Sequence, residues 1–162
     1  MTPYFGSGVG DPSGTGSGFY RTQRPDWIGN AIPDNQNRDN WVDRSGFVCP
    51  GRVPGSSTQW NCNVGLNPAS DPPPIGRFGN AGVGILEGPG TVNLSMSLGK
   101  SFQTSERTRV RLMGSFTNLP NHVNLADPNL NITSGSFGRI SSSRGSDFGG
   151  SRTGEVSARF EF

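Results

Sequence analysis

The chain has no run of about 18 apolar residues, the length a bilayer-crossing helix needs, so no membrane-spanning helix is expected in its 162 residues. It has one histidine and two cysteines. His122 cannot complete a zinc site with Cys49 and Cys62, and those two are not in a Cys-x-x-Cys arrangement. Neither sign of charge dominates: 14 Lys and Arg stand against 12 Asp and Glu. A net charge of +2 is too small to imply a nucleic-acid partner. Apolar residues make up only 30%, where soluble domains run at about 45–50% with glycine included. A large buried core is therefore not expected for most of the chain. Gly82-Val-Gly84-Ile-Leu-Glu-Gly88 lacks the strand–loop–helix context and the following Lys-Ser/Thr of a phosphate cradle. No Ser-His-Asp or Cys-His arrangement stands out. No cofactor, metal or enzymatic activity is expected.

Turn chemistry is abundant instead, with 25 Gly and 13 Pro. Gly6, Gly8, Gly10, Gly14, Gly16 and Gly18, then Arg24-Pro25-Asp26, Ile32-Pro33-Asp34-Asn35 and Asp71-Pro72-Pro73-Pro74, punctuate residues 1–90. The region reads as one long irregular loop, with the tip of a strand at 2–5. Trp27, Trp41 and Trp60 argue for partial order within it, as packing groups or as contacts for a ligand. Cys49 and Cys62 read as a disulfide clipping this loop in an oxidising compartment, or as two free thiols. Residues 1–8 have neither a basic n-region nor an apolar h-region. A complete exported protein needs a leader there, so a piece of a longer chain is expected.

The texture changes at Thr91. Val92, Leu94, Met96 and Leu98 alternate with small polar residues, which predicts a strand over 91–102. A connection at 103–106 leads to a second alternating strand, 107–117. A turn-rich loop, 118–152, precedes a last strand, 154–162. There Val156, Ala158, Phe160 and Phe162 share one face, and Ser157, Arg159 and Glu161 share the other. Each strand is long enough for a tilted bilayer crossing. Arg107, Arg109, Arg111, Arg159, Glu155 and Glu161 lie opposite the apolar groups, which suits a wet interior with lipid outside. Arg109 and Arg111 are expected to form an ion-pair ladder with Arg159 and Glu161, or to guide anionic solutes. Lys100 falls on the apolar register, where only a strand end is tolerable. Short turns on one side and long loops on the other also match outer-membrane barrels. The fold class expected is all-β: about three C-terminal antiparallel strands of a large transmembrane barrel, in the outer membrane of a Gram-negative bacterium.

Two weaker signals lie in the 118–152 loop. Asp127, Asn129 and Asn131 alternate as calcium-binding oxygens do, but the rest of such a loop pattern is missing. His122, between Asn121 and Asn124, reads as a hydrogen-bonded loop residue.

The order of motifs resembles that of Oar-like TonB-dependent receptors. It runs Arg24-Pro-Asp26, Trp41-Val-Asp-Arg-Ser-Gly-Phe47, Phe78-Gly-Asn-Ala-Gly82, Leu86-Glu-Gly-Pro-Gly90, Asn93-Leu-Ser-Met-Ser-Leu98 and Lys100-Ser-Phe102. It ends with Phe116-Thr-Asn-Leu-Pro-Asn-His-Val-Asn124, Phe137-Gly-Arg-Ile140 and Arg159-Phe-Glu-Phe162. Val83-Gly84 and Leu119-Pro120 depart from that pattern. The resemblance implies a 22-stranded barrel closed by an N-terminal plug and driven by TonB, with solute binding and energised uptake as its function. It implies as partners the remaining strands, the plug, TonB, outer-membrane lipid and the assembly machinery, which would read the terminal strand. Two other readings of the residues stand beside it. One is a secreted all-β binding or adhesive module with Val92, Leu94, Met96, Val110, Leu112 and Phe116 in a closed core. The other is a disordered linker ending in a hairpin.

Overall fold

The computed structural model describes residues 1–6, 11, 13, 23–63, 75–145 and 149–162. The glycines at 8–10 and 14–18 and the Asp71-Pro72-Pro73-Pro74 run lie outside the described residues. Regular elements, in order, are β1 (Asp26–Trp27), a 3-10 turn (Arg44–Gly46), β2 (Phe47–Val48), β3 (Met96–Ser105), β4 (Thr108–Thr117) and β5 (Thr153–Glu161). Contacts divide the chain into two compact units. One comprises Met1–Gly88 and Asp127–Ser141, the other Pro89–Ala126 and Ser142–Phe162.

The first unit is a folded body built almost without regular structure. β1 and β2 pair antiparallel, Asp26 with Val48 and Trp27 with Phe47. Around them Phe5, Ala31, Val42, Phe47, Cys49, Cys62, Ala81, Leu86, Leu130 and Ile132 form a buried apolar cluster. A core of its own excludes the disordered-linker reading for the described part of this region. At residues 2–5 the structure has an isolated bridge and no strand element. Tyr4 makes a single parallel bridge to Asn131, its N–H donating to the Leu130 carbonyl at 3.0 Å and its carbonyl accepting from Ile132. Phe5, 1% exposed, draws the segment into the apolar cluster instead. Cys49 and Cys62 form a disulfide with their Cα atoms 5.1 Å apart. Closing a loop of this size stabilises by about 3 kcal/mol in the chain-entropy account.

Side chains and glycines replace the missing ladders. Asp26 accepts both ends of the Arg77 guanidinium at 2.7 Å and the Asn80 N–H at 3.0 Å. Asn80 returns the contact by accepting from the Trp27 N–H, and the Ala81 N–H donates to the Pro25 carbonyl. A Cβ at Gly79 would stand 2.0 Å from the Arg24 carbonyl oxygen, so only glycine permits this approach. A second clasp joins Trp41-Val42 to Phe137-Gly138. The Trp41 N–H donates to the Gly138 carbonyl at 2.9 Å. Gly138 has φ +77°, and a Cβ there would meet the Val42 carbonyl oxygen at 2.0 Å. Phe47 and Phe137 meet edge to face at 5.9 Å. Asp43 caps the 3-10 turn by accepting from the Ser45 N–H at 2.8 Å.

The second unit is one antiparallel sheet in the order β3-β4-β5. Its boundaries differ from those expected. β3 begins at Met96 rather than 91, and the hairpin turn is Glu106-Arg107 rather than 103–106. At the start, the Asn124 amide occupies both polar groups of Val92, accepting its N–H at 2.8 Å and donating to its carbonyl at 2.9 Å. One backbone bond, Leu119 N–H to the Leu94 carbonyl, follows at 2.8 Å before the ladder begins. At the turn, a register shift between Gln103 and Ser105 inserts an extra residue and lets the pairing run on to Ser105–Thr108.

Asp26 carries a pH consequence. Burial pushes its carboxyl pKa up, but hydrogen bonds from Arg77 and Asn80 and the guanidinium charge outweigh this, leaving it below 3.8. A pKa lowered on folding stabilises above the unfolded value and loses that contribution as pH falls through the folded one. Amide protection at Asn80 and Ala81, followed by hydrogen exchange, is expected to hold at neutral pH and to fall below about pH 4. Asp26→Asn is expected to lower that protection already at neutral pH, by about 1–2 kcal/mol given the water access to Arg77, and to flatten its acid dependence.

Candidate functional site

Residues paired directly across antiparallel strands share a face, so the register assigns each side chain of the sheet. One face carries the rows Met96–Phe116–Gly154, Leu98–Gly114–Val156, Lys100–Leu112–Ala158 and Phe102–Val110–Phe160. The other carries Ser97–Ser115–Glu155, Gly99–Met113–Ser157, Ser101–Arg111–Arg159 and Gln103–Arg109–Glu161. The apolar and polar alternation of three separate strands thus falls into one register. A one-residue slip of any strand would move its whole apolar set to the polar side.

The apolar face is bare. Leu98 is 79% exposed, Val156 82% and Phe160 66%, and Met96, Phe102, Leu112 and Phe116 are exposed as well. A closed sandwich core containing Val92, Leu94, Met96, Leu112 and Phe116 is contradicted by the exposure of all five; Val110 is only half-buried. Lys100 is not at a strand end, where its tolerance was expected; it is the fifth residue of β3. Its cross-strand partner is Leu112, and the Phe102–Val110–Phe160 row lies between it and the hairpin turn. The ammonium can therefore reach along the strand past one row while its stem lies on apolar surface.

On the polar face the register brings Arg109 opposite Glu161 and Arg111 opposite Arg159. The expected ion-pair ladder is reduced to one link among the described residues of the sheet. Arg159 reaches Glu161, its neighbour on the same strand, at 3.9 Å. The geometry sets two arginines across from each other where alternation of sign would have made rungs. Arg111, Met113, Ser157 and Arg159 line an open hollow of ≈ 310 Å³. A second hollow of ≈ 220 Å³ at the turn is lined by groups of both signs, Glu106, Arg107, Arg109 and Glu161 among them.

The three tryptophans are not gathered into a platform. Trp60 donates to the Phe47 carbonyl at 3.1 Å and lies under the Arg44 guanidinium, 4.3 Å away. Burial lowers the pKa of Arg44. Trp41 donates to the Glu87 carbonyl and packs on the apolar cluster. Trp27 is 49% exposed and donates to the Gly29 carbonyl. The oxygens of Asn129 and Asn131 close local turns: Asn129 accepts from the Asn131 N–H and Asn131 from the Thr133 N–H, both at 3.0 Å.

Two residues that the sequence did not single out hold the loop beside the sheet. Asn118 and Asn124 are each 1% exposed. Asn118, in the left-handed region at φ 51°, donates to the His122 and Gly150 carbonyls and accepts the His122 N–H. Asn124 donates to the Val92 and Gly149 carbonyls, and His122 Nδ1 lies 3.2 Å from its oxygen. The signal was Phe116-Thr-Asn-Leu-Pro-Asn-His-Val-Asn124, whose asparagines tolerate such backbone and can stand in for a strand partner.

No curated protein and no solved structure matches the chain. Residues 2–154 match the family model described as an outer membrane beta barrel domain. That match spans the described loop body, β3, β4 and the loop up to β5, and a sheet with one greasy and one wet face is what such a barrel wall requires. The chain belongs to the outer-membrane β-barrel family and resides in the outer membrane of a Gram-negative bacterium.

Proposed function

We propose that the chain is the C-terminal part of an Oar-like TonB-dependent receptor, which captures a solute outside the cell and takes it up with energy delivered through TonB. The observation that carries this reading is the two-faced sheet, which among the described residues is uncovered and leaves one edge of each outer strand, β3 and β5, unpaired. Neither an open edge nor an unsatisfied backbone group is tolerated in hydrocarbon. Three strands cannot close, since about 8 make the smallest barrels. The remaining strands come from elsewhere in the protein, and β5 meets the first of them. The order of the receptor-like motifs supports the finer reading. Two of those motif pairs are structural partners here: Arg24-Pro-Asp26 holds Phe78-Gly-Asn80, and Trp41-Val42 holds Phe137-Gly138.

In this arrangement the apolar rows meet lipid and the arginine rows meet a wet lumen. The turn at Glu106-Arg107 and the end of β5 face the periplasm. The loop body faces outward and contributes to capture of the solute, with Trp27 as its exposed aromatic. Its disulfide suits the oxidising cell exterior. The plug and the TonB contact lie in other parts of the protein. The mechanism is binding and gated passage, with no covalent chemistry.

Substitution tests the two faces. Leu98→Arg is expected to destabilise the assembled barrel by about 2–4 kcal/mol if the side chain meets mid-bilayer lipid, and Ser97→Arg by less than about 1 kcal/mol; denaturant unfolding in lipid reads both. Equal costs would reject the assignment of faces. The uptake reading is tested in cells. A panel of labelled siderophores, glycans and peptides should include a solute whose uptake disappears both when the gene is deleted and when TonB is removed. Uptake that survives the loss of TonB would remove the energised mechanism.

A further inference from the structure

The polar face holds an arrangement that a wall built only to contain water does not need. Arg111 and Arg159 are direct partners across β4 and β5. Side chains so placed have Cβ atoms about 5 Å apart, and like charges there repel. Among the described residues no carboxylate pairs with Arg111, and Arg159 has only the distant Glu161 at 3.9 Å. Ser101 completes the row on β3 with a hydroxyl. The adjacent row, Gly99–Met113–Ser157, has small side chains on both outer strands. The result is the ≈ 310 Å³ hollow with a guanidinium on each of two strands and the Ser157 hydroxyl at its rim. The neighbouring turn hollow differs, because Glu106 and Glu161 there offset Arg107 and Arg109.

From this geometry we infer that Arg111 and Arg159 form a lumenal subsite for an oxyanion, a phosphate, sulfate or carboxylate group carried by the solute. An arginine presents a planar fork of donors matched to such groups. Two forks facing one hollow can share a single oxyanion, which converts their mutual repulsion into attraction. Ser101 and Ser157 supply neutral donors beside it. The subsite rests on the uptake reading for its place along a solute path, but it binds without TonB, so the two can fail separately.

The test uses the unaltered protein in outer-membrane vesicles. Phenylglyoxal labels accessible arginines, and mass spectrometry of the peptides reports each position. Inorganic phosphate, compared with chloride at equal ionic strength, is expected to slow labelling of Arg111 and Arg159 several-fold and to leave Arg109 unchanged. Isothermal titration of phosphate into the detergent-solubilised protein is expected to show binding that Arg111→Gln and Arg159→Gln each weaken, with Arg109→Gln close to the parent. Equal labelling in phosphate and chloride overturns the subsite, including the case in which an acidic group of the protein already fills it. Protection of all arginines alike also overturns it, since that is only screening. Phosphate protection together with TonB-independent uptake would remove the transport reading and leave the subsite standing.

Discussion

Among the described residues nothing covers the greasy side of the sheet, and that single fact constrains the rest. An antiparallel sheet in water buries one face against a second layer. Here Leu98, Val156 and Phe160 stand exposed, and the cost of hydrating such a stripe is of the order of 25 cal/mol per Å². Hydrocarbon removes that cost without a second layer. It also demands that every backbone group in the crossing be paired within the wall, which is why three strands register so regularly over Met96–Phe116, Leu112–Ala158 and Val110–Phe160. The polar side follows from the same requirement, because a strand with one face in lipid must put its arginines, glutamates and serines on the other.

The loop body obeys a different economy. It has little regular structure, yet many of its described backbone groups find partners, some of them asparagine, aspartate and arginine side chains that take the place of neighbouring strands. Asp26 gathers Arg77 and Asn80, and Arg38 donates to the Ile140 and Ser141 carbonyls. Glycines at 79 and 138 allow backbones to touch where any side chain would intrude. The low apolar content is thus compatible with order: a small cluster around Phe5, Phe47 and Ile132 suffices when polar side chains satisfy the chain around it and a disulfide closes one loop.

The barrel strands were legible because period-2 alternation depends on local geometry alone. The faces of Val156, Arg159 and Glu161 could be assigned before any pairing was known. The strand ends were less legible. Residues 91–95 alternate like a strand, but both polar groups of Val92 are taken by Asn124, about 30 residues away, and no local pattern announces that competition. The extension of β3 to Ser105 depended on an extra residue near Gln103 that propensity does not reveal. Residues 2–5 read like a strand tip, but the structure shows only an isolated bridge from Tyr4 to Asn131 in the loop body, where Phe5 finds its burial.

What the amino-acid order determined by itself was the chemistry of each face: greasy residues at every second position, charges between them, and glycine–asparagine clusters where the chain must turn. Tertiary structure alone decided which faces meet. It placed Arg111 against Arg159 instead of against a glutamate, and it joined Arg24-Pro-Asp26 to a motif some 50 residues later. Alternation is a property of one strand and costs nothing to read. Register and long-range clasps are differences between competing pairings, decided by side-chain fit across segments that are neighbours only once the chain has folded.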